Sequence, residues 1–163
     1  MSGNKIESRE HLIKALANEF DACVGESYPV IDLTAQTVTE VLDTTDFEPE
    51  FNAHLHKHEI VAVERPNSHE DYRIMERFAL SRPDEQARRL RDALSMRHSF
   101  KMFRGAVERM GLDAEWYAWH DATYLEIAEE SLEYYGVEFT DGKIVCNNDQ
   151  NVRTYLCECI DEE

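Results

Sequence analysis

The sequence predicts an α+β fold, mainly helical, with small antiparallel β-hairpins before and after a helical block. Three observations carry that expectation. Apolar residues recur at three- and four-residue steps over Glu7–Cys23 and repeatedly between Ser68 and Tyr135, the spacing of helical faces. Apolar and polar residues alternate over Phe51–Leu55, and Ile60–Val63 are β-formers. The tail from Val137 is β-rich and interrupted by Asp141-Gly142, a good two-residue turn. A chain of 163 residues suits one domain, and at that length folding buries roughly 70% of the unfolded surface. The whole of 1–163 is therefore read as a single domain without repeats or linkers.

The elements follow in order. Leu12, Ile13, Leu16, Ala17 and Phe20 line one face of a first helix, which Gly25 and Pro29 end. Asp32 then caps an expected second helix through Asp43, with Leu33, Val38, Val41 and Leu42 apolar. Phe51–Glu64 is expected to form a hairpin turning near Lys57-His58. Ser68 caps a helix to about Leu80, and Pro83 restarts another from Asp84 to Ser95. A further helix runs from His98 to Met110, with Phe100, Phe103, Val107 and Met110 as its apolar stripe and Gly111 as its stop. Asp113 caps a long helix to Tyr135. Strands Val137–Thr140 and Lys143–Cys146 flank the Asp141-Gly142 turn, and Val152–Ile160 alternates as a third strand.

Composition bounds the function. With 42% hydrophobic and 31% charged residues the chain is globular. No apolar run approaches the length of a membrane span, and the first residues lack an apolar signal core, so a soluble cytoplasmic protein is expected. The net charge is −17, with 34 acids against 17 bases, which repels nucleic acid at long range. The charge is uneven. Arg82–Arg109 holds eight bases and four acids, a net of +4, so the remaining residues carry −21.

Residues Asp92–Arg104, D-A-L-S-M-R-H-S-F-K-M-F-R, resemble the signature of a family of uncharacterised small bacterial proteins. In that family A-I-x-G-R-G-A-F-R-x-F-K is followed by a helix with W-x-x-F and then A-x-x-W-L. The counterparts here are Ala93, Leu94, Arg97, Phe100, Lys101, Phe103 and Arg104, followed by Trp116, Trp119, Ala128 and Leu132. The similarity covers about Phe51–Phe139, which makes residues 51–139 a family-like core and 1–50 and 140–163 additions. The two glycines flanking the motif's arginine are Met96 and His98 here, so either a continuous helix or a different turn replaces the glycine turn. The resemblance implies the fold and gives little on function, since the family has no established activity.

Two groups of residues are candidate sites. His54, His56 and His58 alternate, and H-x-H on a strand can supply two ligands to zinc, with His58 joining them if the strand continues. The alternative is a solvated strand face. Cys157 and Cys159 would share one side of a strand as half a soft-metal site, or simply be partly buried thiols. The second group is the basic stripe Arg97, Lys101 and Arg104 beside aromatics, with Trp116 and Trp119 on the next helix. Either it meets the acidic face of the long helix (Glu115, Glu126, Glu129, Glu130, Glu133), or each face is simply solvated, or it binds a protein partner or a small anionic group. Nucleophile elbows, Walker-type loops and dinucleotide fingerprints are absent. The expectation is a non-catalytic interaction or regulatory module with a protein partner and no cofactor. Its rivals are an acidic decoy for a nucleic-acid-binding protein and a metal-dependent enzyme built on His54 and His56.

Overall fold

The computed structural model describes residues 4–42 and 49–157. The fold is α+β and mainly helical. In chain order the elements are α1 (Arg9–Ala22), β1 (Tyr28–Asp32), β2 (Thr37–Val41), a 3₁₀ segment Pro49–Leu55, β3 (Glu59–Ala62), α2 (Ser68–Leu80), α3 (Asp84–Leu94), α4 (Ser99–Arg109), α5 (Asp113–Tyr135), β4 (Val137–Thr140), β5 (Lys143–Cys146), a 3₁₀ turn Asp149–Asn151 and β6 (Arg153–Thr154). The chain divides into two compact units, one formed by the residues up to Arg65 and from Leu125 onward, the other by Pro66–Tyr124.

In the first unit α1 starts where Ser8 Oγ accepts the His11 N–H at 3.0 Å, and it buries the expected Leu12, Ile13, Leu16, Ala17 and Phe20. The next segment departs from the expected helix Asp32–Asp43. It forms the hairpin β1–β2, in register from Tyr28↔Val41 to Asp32↔Thr37, and Asp43 lies outside the described residues. Thr37, Val38, Thr39 and Val41 are β-branched and gain more from a pleated surface than from a helix.

The expected hairpin Phe51–Glu64 is also replaced. Its first half is the 3₁₀ segment, so the buried residues are Asn52 and Leu55, three apart, while Phe51 is exposed. Asn52 is held in the interior because its carboxamide accepts the Leu42 N–H and donates to the Leu42 carbonyl, at 3.0 and 2.9 Å. The second half, β3, pairs antiparallel with β1. The sheet order is β2-β1-β3-β6, and Val30, Val41, Leu55 and Ile60 form its core with Tyr28, Ala62 and Tyr155 against them. Of the expected third tail strand Val152–Ile160, residues 158–160 lie outside the described residues, and within 152–157 the strand is Arg153–Thr154, which pairs with β3 rather than β5.

Strands β4 and β5 pair around Asp141-Gly142 as expected. Gln36, at φ 62°, turns the β1–β2 connection and sends its carboxamide to β5, where it accepts from Ile144 N at 2.6 Å and donates to Ile144 O at 3.0 Å. Gly136, at φ +76°, ends α5 as expected.

The Pro66–Tyr124 unit is helical. Asn67, one residue before the expected Ser68, caps α2 through a reciprocal box with Glu70. Phe78 on α2 is completely buried and meets Phe103, Trp116 and Trp119 edge-on, at centroid distances of 6.3, 5.3 and 5.8 Å. Of the expected α4 stripe, Phe103 and Val107 are buried and Phe100 and Met110 half-buried. Tyr124 donates its hydroxyl to Asp71 Oδ1 at 2.6 Å.

Between α3 and α4 the helix does not continue. His98 takes φ 59° and ψ 49°. Left-handed backbone costs an ordinary residue about 1–2 kcal/mol. His98→Gly should therefore raise stability by about 1 kcal/mol, read as a higher urea midpoint with unchanged slope. A lower midpoint would mean that the imidazole contributes more than the strain costs.

Candidate functional site

The basic stripe sits on a helix start that lacks the usual neutralising groups. The first N–H groups of a helix point outward and carry partial positive charge. On α4 no side chain caps them, and the first turn contains no acid. Arg97 precedes this end, Lys101 lies in the first turn and Arg104 one turn further, and all three side chains are exposed. Among the described residues none of the three has an ion-pair partner within 4.0 Å. Arg88 on α3 behaves differently, lying 2.8 Å from Glu85 and 3.3 Å from Asp92.

The tryptophans separate. Trp116 is 5% exposed, with its ring 5.0 Å from Phe103, so it belongs to the core and not to a contact surface. Helical geometry explains this, since Leu112, Trp116 and Tyr124 recur along one buried face. Trp119 is half-buried, with its ring edge-on to Phe78 at 5.8 Å. Of the two plain expectations for the basic and acidic helix faces, the described ion pairs record no meeting, and the exposure of Arg97, Lys101 and Arg104 fits solvated bases. Glu129 pairs instead with Arg9, at 2.9 Å.

Charge follows the division of the chain. Pro66–Tyr124 holds ten bases and ten acids, whereas the rest holds seven bases and 24 acids and so carries all of the −17.

The three histidines diverge. His54 sits in the 3₁₀ segment with Nδ1 3.1 Å from Phe51 O, and its Nε2 is buried without a partner among the described residues. His56 Nδ1 accepts the Cys157 N–H at 3.0 Å. His58 Nδ1 lies 2.7 Å from Oδ2 of Asp32, whose other oxygen accepts the Thr34 and Ala35 N–H groups at 3.0 and 2.9 Å. A strand would have aligned His54 with His56, but a 3₁₀ turn does not. Of the C-x-C pair, Cys157 is buried and Cys159 lies outside the described residues.

Another group of donors does converge. Glu19 and Cys23 lie four residues apart, one turn of α1, and Glu40 faces them from β2. One carboxylate oxygen from each glutamate and the thiol sulfur all lie within 4.8 Å of one another. Cys23 is buried and the two glutamates half-buried. Burial, and then the Glu40 charge, push the Glu19 carboxyl up to about 7. Burial, and then a hydrogen bond to Glu40, push the Cys23 thiol up to about 12. The sequence expectations missed this cluster. The E-x-x-x-C spacing was visible, but reading Asp32–Asp43 as helix removed Glu40 from any sheet facing it.

No family model, curated protein or solved structure matches this chain.

Proposed function

We propose that this chain is a non-catalytic interaction module that docks an acidic segment of a protein partner at the start of α4. One observation carries the reading: α4 starts without a side-chain cap, Arg97, Lys101 and Arg104 lie just before, within and just after its first turn, and none of the three has an ion-pair partner among the described residues. Anionic side chains are favoured there by outward N–H groups, by the helix dipole and by guanidinium groups that bind carboxylate in a bidentate way. The exposed part of Trp119, on α5, adds an apolar contact to the same helical unit.

The test is an amide-NMR titration of the full chain with an aspartate- and glutamate-rich peptide. Shifts should concentrate on Ser99, Phe100 and Lys101 and weaken with salt. Reversing Arg97, Lys101 and Arg104 to glutamate should weaken binding by at least about 100-fold, with circular dichroism unchanged. If the reversed chain unfolds, these bases serve the architecture. If the peptide shifts residues elsewhere, the docking site is wrong.

A second reading, a polyanion mimic that occupies a basic groove, is favoured by the concentration of the entire −17 outside Pro66–Tyr124. It predicts capture by polycationic resin that survives the α4 reversals, because the charge responsible lies elsewhere.

A further inference from the structure

We propose that Glu19, Cys23 and Glu40 form a binding site for a divalent transition cation of borderline softness, of which zinc is the type. Their donor atoms lie within 4.8 Å of one another, although they come from the end of a helix and the middle of a strand. The ligands of a tetrahedral zinc stand roughly 3.3–3.7 Å apart, given metal–ligand bonds of about 2.0–2.3 Å. Binding would draw the donors to that spacing through the two glutamate side chains, the flexible members of the set.

The backbone is already fixed for this. The Cys23 N–H donates to Glu19 O at 3.0 Å, closing the last turn of α1. Arg65 donates its guanidinium to the carbonyls of Cys23 and Gly25 beyond it. Glu40 stands opposite Pro29 in the β1–β2 register, on the edge strand of the sheet.

A second observation points to a ligand. Glu40 Oε2 is sealed from solvent and has no hydrogen-bond partner among the described residues, and the bond that the Cys23 thiol makes to this carboxyl group is the one that metal binding replaces. A buried carboxylate oxygen left unpaired is costly, and a cation supplies the missing partner. The mixture of donors selects the ion. A thiolate disfavours calcium and magnesium, two carboxylates disfavour copper(I), and zinc or cobalt(II) accepts both kinds. Cys23 is buried and the two glutamates are half-buried. Three protein ligands leave a fourth position for water or for a donor brought by another molecule. Binding requires the thiolate, so the thiol proton leaves to solvent. The site is independent of the α4 surface.

The experiment is titration of the reduced, chelator-stripped full chain with cobalt(II). One cobalt per chain should bind, with a near-ultraviolet thiolate-to-metal charge-transfer band, and zinc should displace it. Cys23→Ser should abolish the band, whereas replacing Cys146, Cys157 and Cys159 together should leave it. Glu19→Gln and Glu40→Gln should each weaken binding by at least about tenfold. The proposal is overturned if no such band forms, if it survives Cys23→Ser, or if it follows the other cysteines. Should Cys23→Ser fail to fold, unchanged cobalt affinity in Glu40→Gln overturns it.

Discussion

Replacing Phe78 by alanine should destabilise the Pro66–Tyr124 unit by about 3–5 kcal/mol. The ring is wholly buried and is the common neighbour of Phe103, Trp116 and Trp119, while the Arg82 guanidinium lies 4.8 Å above its centroid. Alanine removes the buried apolar area, leaves a cavity, and ends aromatic contacts of roughly 0.5–1.5 kcal/mol each. Both tryptophans of the chain touch this ring, so tryptophan fluorescence during urea unfolding reports on it directly. The midpoint should fall with the slope unchanged. Phe78→Leu, which keeps much of the area and loses the edge-on geometry, should fall between. Equal midpoints for Phe78→Ala and the native chain would remove Phe78 from the centre of the helical core.

Asp32→Ala is the second large effect, at about 2–4 kcal/mol. Asp32 is wholly buried, and its two oxygens hold Thr34 N, Ala35 N and His58 Nδ1. The carboxylate thereby ties the β1–β2 turn to the entrance of β3. Asp32→Asn retains an acceptor for the two N–H groups and gives up the charge-assisted bond to His58, so it should cost about half as much. Urea unfolding gives both values, and the His58 ring resonances should shift in each variant. An Asp32→Ala chain of native stability would mean that burying the carboxylate costs as much as its bonds return.

The same residue explains where the sequence was misleading. An aspartate that caps a helix accepts N–H groups two and three residues ahead, which is what Asp32 does with Thr34 and Ala35. The local signal was therefore real, but the turn is followed by left-handed Gln36 and a β-branched run, and no helix propagates. The choice depends on β1 and β3 lying alongside, which local sequence does not encode. In the helical half, by contrast, stop and start residues act locally. The expected Asp113–Tyr135 and both strands around Asp141-Gly142 match the structure because left-handed Gly136 stops the helix and the left-handed Asp141-Gly142 pair makes the turn. The basic stripe was legible as a helical face, whereas the burial of Trp116 was not, since it depends on where Phe78 and Phe103 lie. The Glu19–Cys23–Glu40 cluster was the least legible, being made by packing a helix against a strand that the sequence reading did not place.

Gln36 has a consequence for solubility. In an antiparallel ladder each residue bonds either toward its partner or away from it, and Ile144 on β5 directs its N–H and carbonyl away from β4. Such an open strand edge is a template on which a second chain can add, and then a third. The carboxamide of Gln36 satisfies both groups as another strand would, yet it has no following residue to offer the next molecule. It is a one-residue strand that cannot grow, and it blocks strand addition at Ile144 in a chain that its net charge also keeps apart.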